Sequence, residues 1–72
     1  MSEGELQMRL GKNLHQIRVD RGLSQEDFAE LLGYHRTYVG GLERGERNVS
    51  LKSLERIAET LDIDPVELLS LL

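Results

Sequence analysis

Apolar residues recur along the chain at intervals of three and four, the spacing that places side chains on one face of an α-helix. The first set consists of Leu6, Leu10, Leu14 and Ile17. Gly22 follows the set and is a natural signal for the end of a helix. The pattern predicts a first helix over residues 5–20.

Two short helices are predicted next, separated by a glycine. Ser24 can cap a helix over residues 25–32, because its hydroxyl can accept a bond from a first-turn amide. Gly33 ends that helix, and a third begins at His35 or Arg36 and runs to about residue 44. The side chains that these two helices turn inward are Phe28, Ala29, Leu32, Val39 and Leu42.

Cap signals also mark two C-terminal helices. Ser50 can cap a fourth helix, whose apolar face comprises Leu54, Ile57, Ala58 and Leu61. Asp64 followed by Pro65 predicts the start of a fifth, because aspartate caps and proline fits the first helical position. No segment alternates between apolar and polar residues, so we expect one all-α, five-helix domain over residues 1–72.

The composition is that of a small soluble domain. The chain has 72 residues, of which 39% are hydrophobic and 31% charged, and it contains no cysteine. No apolar run approaches the length of about 18 residues that spans a membrane, and the acidic first five residues do not resemble a signal peptide. These features predict a cytoplasmic protein that does not associate with membranes.

The net charge of −4 at first argues against binding to nucleic acid, because Lys and Arg are needed to neutralise the phosphates. The charges are unevenly distributed, however. Basic residues outnumber acidic ones in residues 9–21 and 36–56, whereas residues 57–72 carry only acidic charges. A positive face with a negative back is one arrangement of such a chain, and a mixed, solvated surface is the other.

Residues 25–44 have the residue types that a helix-turn-helix requires. Ala29 is small enough for two helices to approach closely, and Gly33 tolerates the positive φ of a tight turn. Val39 and Leu42 would anchor the second of these helices to the core. Its opposite face is then left for Arg36, Thr37, Tyr38, Gly40, Gly41 and Arg44.

A family resemblance covers roughly residues 9–72. The segments that carry it are Ile17-Arg18, Gly22-Leu23-Ser24-Gln25, Phe28-Ala29, Gly33, Arg36-Thr37-Tyr38-Val39, Leu42-Glu43-Arg44-Gly45 and Arg47-Asn48. With these segments the sequence resembles the repressor/Cro-type (XRE-like) helix-turn-helix family, and is most like its controller proteins of restriction–modification systems. The resemblance implies a lambda-repressor-like fold that binds double-stranded DNA, with no enzymatic activity and no cofactor.

The resemblance also implies roles for individual residues. Arg36 and Thr37 would reach base edges in the major groove, and Tyr38 would contact a sugar, a phosphate or a base. Gln25 would contact a phosphate at the start of the second helix. The residues expected to hold the DNA backbone are Arg44, Arg47 and Asn48.

His35 stands at the N-terminal edge of the third helix. We expect it to cap this helix or to contact a phosphate. The chain's only other histidine, His15, is expected to be exposed to solvent on the first helix. Two histidines without cysteine or a suitably spaced carboxylate predict no metal site.

Gly40 and Gly41 depart from the family pattern, which usually places larger side chains at these positions. Each glycine in a helix interior costs about 0.8–1 kcal/mol relative to alanine. One explanation is a closer approach of the backbone to DNA, and Gly41 is therefore included among the predicted DNA contacts. The alternative is that the two glycines have no role.

The resemblance further implies an ion pair between Arg18 on the first helix and Glu43 on the third. Such a pair would tie the two helices together. If it is buried, removing one partner costs about 3–5 kcal/mol because an uncompensated charge is left behind.

The C-terminal segment is rich in apolar residues. An exposed apolar patch on a small domain indicates an interface, so we expect a homodimer that uses Ile63, Val66, Leu69 and Leu72. The alternative is that these side chains fill the core of the monomer. A two-fold dimer would place its recognition helices about 34–36 Å apart, facing successive major grooves of a pseudo-palindromic operator.

The expected function is therefore sequence-specific transcription regulation by a homodimer, which by resemblance controls restriction–modification genes. Activation and repression both stay open, as does a contact with RNA polymerase. The alternatives are a phage-type repressor, an antitoxin, or a protein-interaction module that has kept the fold without binding DNA.

Overall fold

The computed structural model describes residues 1–71, which form five α-helices joined by short loops. The helices are α1 (Glu5–Asp20), α2 (Gln25–Leu32), α3 (Arg36–Glu43), α4 (Leu51–Leu61) and α5 (Pro65–Leu68). All five were predicted, and the 71 described residues include no strand. None of the helices in this part of the chain is long and apolar enough to cross a membrane.

Side chains next to the helices fix where several of them begin. The hydroxyls of Ser24 and Ser50 and the carboxylate of Asp64 each accept a hydrogen bond from a first-turn backbone amide, at 3.0, 3.1 and 2.8 Å. Each bond satisfies one of the amides that a helix start leaves without an intrahelical partner. These local bonds explain why the predicted boundaries of α2, α4 and α5 agree with the structure.

Gly33 makes the tight turn between α2 and α3. Its φ of +79° lies in the left-handed region, which glycine adopts without the strain that a side chain would cause. The Tyr34 amide then donates to the Ala29 carbonyl at 2.9 Å, a bond typical of a glycine-terminated helix. Three residues separate the two helices, and the His35 ring caps α3 by accepting a bond from the Thr37 amide at 3.1 Å.

The core combines one face from each helix. Its fully buried side chains include Leu14 on α1, Phe28 on α2 and Val39 on α3. All the inward-facing residues predicted for α2, α3 and α4 are buried. Leu6 is an exception to the prediction for α1: it is 42% exposed, because the first turn of α1 lies at the edge of the bundle, beside Leu51 and Leu69.

Asn13, a buried polar residue on α1, fixes the position of α5. Its side-chain amide donates to the carbonyl oxygens of Leu68 at 2.7 Å and Ser70 at 2.8 Å. The first carbonyl is at the last residue of α5 and the second lies just beyond the helix. The last carbonyls of a helix have no intrahelical donor, so they need partners from elsewhere. The periodicity of α1 gave no reason to expect this role for Asn13.

The apolar residues of the C-terminal segment divide into two groups. Leu68 is 1% exposed and belongs to the core, whereas Val66 is 71% exposed. Ile63 and Leu69 are half-buried and pack against the core. Leu72, also predicted at the dimer interface, lies outside the described residues. Part of this segment therefore does fill the monomer core, and part remains on the surface.

Candidate nucleic-acid interface

The N-terminal end of α3 projects from the surface. Val39 and Leu42 hold the helix to the core by its inner face, being 0% and 2% exposed. Arg36 and Thr37 are exposed. The Arg36 guanidinium lies 3.9 Å from the Glu26 carboxylate, but both side chains are mostly exposed. Such a surface pair is weak, so the Arg36 guanidinium is available to another partner.

Arg18 and Glu43 form the ion pair that the family resemblance implied. Arg18 Nε lies 2.8 Å from Glu43 Oε2, and Arg18 Nη2 lies 3.1 Å from Oε1. The same guanidinium donates through Nη1 to the Leu23 carbonyl at 2.9 Å. The side chains are only 14% and 4% exposed. Arg18 therefore joins α1, the loop before α2 and the end of α3 at one point.

The environment of Glu43 favours its charged form. Burial by itself would raise the pKa of the carboxyl group, but hydrogen bonds from Arg18, His15 and Gln25, together with the Arg18 charge, outweigh burial and lower the pKa. The carboxylate thus stays ionised and holds α3 in place through several donors at once.

His15 is a member of this cluster that the sequence did not identify. Its ring is exposed, as expected, yet Nδ1 lies 2.9 Å from Glu43 Oε1 and 3.2 Å from Arg18 Nη2. One ring nitrogen cannot donate to the carboxylate and accept from the guanidinium at the same time, so the tautomer decides which bond forms. Only the packing of α1 against α3 brings His15 and Glu43 together.

Gln25 points toward the same cluster. Its side-chain amide donates to Glu43 Oε1 at 3.3 Å. In this orientation the amide supports the ion pair. A contact between the Gln25 side chain and a phosphate would require the amide to turn outward; otherwise the backbone at the start of α2 would have to make the contact. The phosphate contact stays a prediction.

Tyr38 belongs to a stack of aromatic and guanidinium groups. Its ring centroid lies 4.8 Å from that of Tyr34, and the guanidinium carbon of Arg47 lies 5.5 Å from the Tyr38 centroid. On the other side, the Arg56 guanidinium carbon lies 5.1 Å from the Tyr34 centroid. These distances are those of cation–π contacts, which hold Tyr38 half-buried at the flank of α3.

The same surroundings set the protonation of Tyr38. Burial and the neighbouring Tyr34 raise the pKa of its phenol, and the charges of Arg47 and Arg56 offset only part of this increase. The hydroxyl therefore remains protonated at neutral pH and can donate a hydrogen bond to a phosphate or a base acceptor.

The sequence placed Gly40 and Gly41 on the open outer face of α3. In the structure both residues are buried instead. An alanine Cβ at Gly41 would lie 2.7 Å from Arg47 Nε and 2.9 Å from Arg47 Cγ. At Gly40 it would lie 3.1 Å from Arg44 Nη1. Arg44 and Arg47 therefore cover the two glycines, and a direct contact from Gly41 to DNA would require Arg47 to move.

The segment after α3 supplies the remaining predicted contacts. Arg44 and Asn48 are exposed. Arg44 Nε pairs with Glu46 Oε1 at 3.1 Å. Gln7 on α1 donates to Asn48 Oδ1 at 2.7 Å and to the Arg47 carbonyl at 3.2 Å. Gln7 was missed in the sequence because nothing along the chain links it to a segment forty residues away.

A metal site is not evident in the part of the chain that the structure describes. Residues 1–71 contain no group of three His, Asp or Glu side chains placed to hold a metal ion. The interface consists instead of arginines, a tyrosine and small polar groups around a short helix. Such groups contact phosphates and base edges.

Two short helices joined by a glycine turn, with an exposed arginine at the start of the second, define a helix-turn-helix protein. The chain belongs to the helix-turn-helix family, whose model matches residues 14–68. Proteins of this family are DNA-binding transcription regulators rather than enzymes.

Individual relatives are consistent with this assignment. The chain is 40% identical over 65 residues to control protein C.BamHI of Bacillus amyloliquefaciens, covering 89% of this chain and 80% of that protein. Its fold is similar to the crystal structure of the restriction-modification controller protein C.AhdI from Aeromonas hydrophila. That comparison gives a TM-score of 0.75 and 50% identity, covering 86% and 94% of the two chains.

A second solved structure is a complex. The chain is similar to the restriction-modification controller protein C.Esp1396I, described as a tetramer in complex with its natural 35 base-pair operator. The TM-score is 0.74 and the identity 35%, covering 94% of this chain and 87% of that one. The helix-turn-helix arrangement found here thus occurs in a relative that binds operator DNA.

Proposed function

We propose that this protein is a homodimeric, sequence-specific regulator that binds a pseudo-palindromic operator and controls restriction–modification genes. The observation that carries the proposal is the exposed Arg36–Thr37 edge at the start of α3. A guanidinium in that position can donate to guanine O6 and N7 together, and a threonine methyl suits a thymine methyl.

The other interface residues have positioning roles in this proposal. Arg44, Arg47 and Asn48 hold the sugar–phosphate backbone, and the neutral Tyr38 hydroxyl adds a donor beside them. His35 already caps α3 through Nδ1, which leaves Nε2 free to donate to a phosphate. The controller relatives support operator binding as the use of this surface.

The dimer is proposed from the apolar surface. Val66, with Leu69 and Ile63 beside it, forms an apolar surface on α5 and the loops flanking it, and an exposed patch of this kind marks an interface. Leu51 and Leu6, which are 77% and 42% exposed, extend the same apolar surface across a shallow groove that Leu69 also lines. Two copies that meet there would present two α3 helices to one face of a duplex.

A regulator of operators acts where the genome is held, so the proposal keeps the cytoplasmic location predicted from the sequence. Repression needs only occupation of the operator. Activation would also need a contact with RNA polymerase, which stays a prediction.

A salt titration on selected DNA tests the proposal. Duplexes enriched from a random pool are labelled, and their affinity for the protein is measured at several salt concentrations. A dimer that neutralises about six phosphates should give a slope of log affinity against log salt of about −5. The selected sites should also be two-fold symmetric. If no duplex is enriched, or if binding is insensitive to salt, the protein is an interaction module and the proposal is wrong.

A further inference from the structure

Gly41 lies directly beneath the Arg47 side chain. The residue is buried although it is on the outer half of α3. The groups that cover it are the Cγ, Cδ and Nε atoms of Arg47, which would all lie within 3.3 Å of a Cβ at this position. Cγ and Cδ belong to the aliphatic stem of the side chain, and Nε is the guanidinium nitrogen attached to that stem, so none of them is at the free end.

The Arg47 stem leads to the Tyr38 ring. From its position across Gly41, the guanidinium reaches a point 5.5 Å from the centroid of Tyr38. The Tyr38 ring in turn contacts Tyr34, which the Arg56 guanidinium covers from the other side. The end of the Arg47 side chain therefore contacts a stack that reaches back to Arg56 on α4.

We propose that Gly41 is a positioning residue. Because this position has no side chain, the Arg47 stem can pack across α3 at Gly41, and its guanidinium then lies over Tyr38, ready to contact DNA. We call this packing site for the Arg47 stem the seat. A long arginine loses rotamer freedom when it binds. A seat that restricts the stem before binding reduces that loss, so the contact forms at a lower cost. This inference rests on the proposed DNA binding and assigns a role within it.

The adjacent Gly40 is a matched control. A Cβ at Gly40 would lie 3.1 Å from Arg44 Nη1 and 3.8 Å from Gln25 Oε1. The second distance is an ordinary contact, and the first needs a shift of only a few tenths of an ångström at the flexible end of the Arg44 side chain. Both glycines lie in α3 and neither has a positive φ. Alanine is therefore allowed by the backbone at both positions and raises helix propensity equally.

The experiment compares Gly41→Ala with Gly40→Ala on the selected operator. Gly41→Ala should bind about 100-fold more weakly, the scale of two lost charge-assisted contacts, one in each subunit of the dimer. Its salt slope should be smaller by about 2 for a dimer that loses two phosphate contacts. Gly40→Ala should bind within about twofold of the wild type. Gly40→Ala should not melt at a lower temperature, because alanine favours the helix. In Gly41→Ala the same gain opposes the loss of the Arg47–Tyr38 contact, so its melting temperature should change little.

A double-mutant cycle identifies Arg47 as the group through which Gly41 acts. In an Arg47→Ala background the stem is absent, so adding Gly41→Ala should change the affinity by less than about twofold. An equal loss in both backgrounds would show that the Cβ obstructs the DNA itself, and the seat would be refuted. No loss in the wild-type background would refute it as well.

A measurement on the free protein separates this inference from the proposed function. The Arg47 Nε–H resonance should show a ring-current shift from Tyr38 in the wild type and in Gly40→Ala, and lose it in Gly41→Ala. If the wild type showed no such shift, the seat would be wrong even if DNA binding were intact. If the wild type showed the shift but selected no DNA, the proposed function would fail, and the role of the seat in binding would fail with it.

Discussion

Two charged side chains of α3, Arg36 and Glu43, have opposite environments. The Arg36 side chain is 65% exposed, whereas Glu43 is 4% exposed and hydrogen-bonded to Arg18. Exposure leaves a guanidinium free to read a base, and burial forces a carboxylate to keep its partners. The first residue is therefore expected to affect specificity, and the second to affect stability.

Replacing Arg36 should weaken operator binding and relax its specificity. Arg36→Ala is expected to cost about 1–3 kcal/mol of binding free energy per subunit, because each subunit loses one bidentate base contact. Competition between operators that differ at single positions measures this effect. Arg36→Lys is the matched control: it keeps the charge but not the planar pair of donors, so it should also lose discrimination at that position. Equal weakening on every sequence would show that Arg36 contacts only phosphate.

Glu43 should make folding stability depend on pH. Its folded pKa lies below the ordinary value of 4.5, so the folded state favours the ionised form. The resulting stability is present above the unfolded pKa and is lost as the pH falls through the folded pKa. Glu43→Gln should therefore lower the free energy of unfolding by about 3 kcal/mol near neutral pH.

Urea unfolding at about pH 7 and about pH 3 checks this prediction, since the difference between Glu43→Gln and the wild type should shrink at the lower pH. Glu59→Gln, at an exposed position of α4, provides the comparison. A difference that is the same at both pH values would mean that the ionised carboxylate is not what stabilises the fold.

Among the helices, α2, α4 and α5 begin at caps that lie within a few residues of them. For this reason the sequence was sufficient to predict where they start.

The last helix, α5, differs from the others in what holds its C-terminal end. It is only four residues long, too short to be stable alone. The buried amide of Asn13 supplies bonds to carbonyls at its C-terminal end.

Removing the Asn13 amide should loosen α5. Asn13→Ala leaves the buried Leu68 carbonyl without a donor, and we expect a loss of about 1–3 kcal/mol in the free energy of unfolding. Hydrogen exchange of the amides in α5 should accelerate more than that of the amides in α2. Gln16→Ala, which removes an exposed amide on the same helix whose bond to Asp20 stays within α1, is the control. Uniform acceleration in all helices would contradict a local role for Asn13.

The surface of the domain combines an arginine-rich edge on α3 with an apolar patch near the C-terminus. Val66 is suited to test the patch because it is 71% exposed, so changing it leaves the core intact. Val66→Glu should yield a folded monomer, since two like charges would meet at a two-fold interface. Its affinity for a symmetric operator should fall together with the dimer.

Sedimentation equilibrium measures this outcome. Val19→Glu introduces the same charge at a half-exposed apolar position of α1 and should leave the dimer unchanged. If Val66→Glu still sedimented as a dimer, this residue would not lie at the interface, and the groove that Leu6, Leu51 and Leu69 line would be the next surface to test.

The five helices and the helix-turn-helix were predictable because their signals are local. Periodicity identified the buried faces, and Ser24, Ser50, Asp64 and Gly33 act on atoms within a few residues of themselves. The Arg18–Glu43 pair came from family resemblance, since no local signal joins residues 25 positions apart. Long-range packing alone brought His15, Gln7 and Asn13 to their partners. The turn at Gly45, in which the Glu46 amide donates to the Gly41 carbonyl, brings Arg47 back over Gly41. A one-dimensional pattern specifies which face of a helix is apolar, but contacts between distant segments arise only when those faces meet.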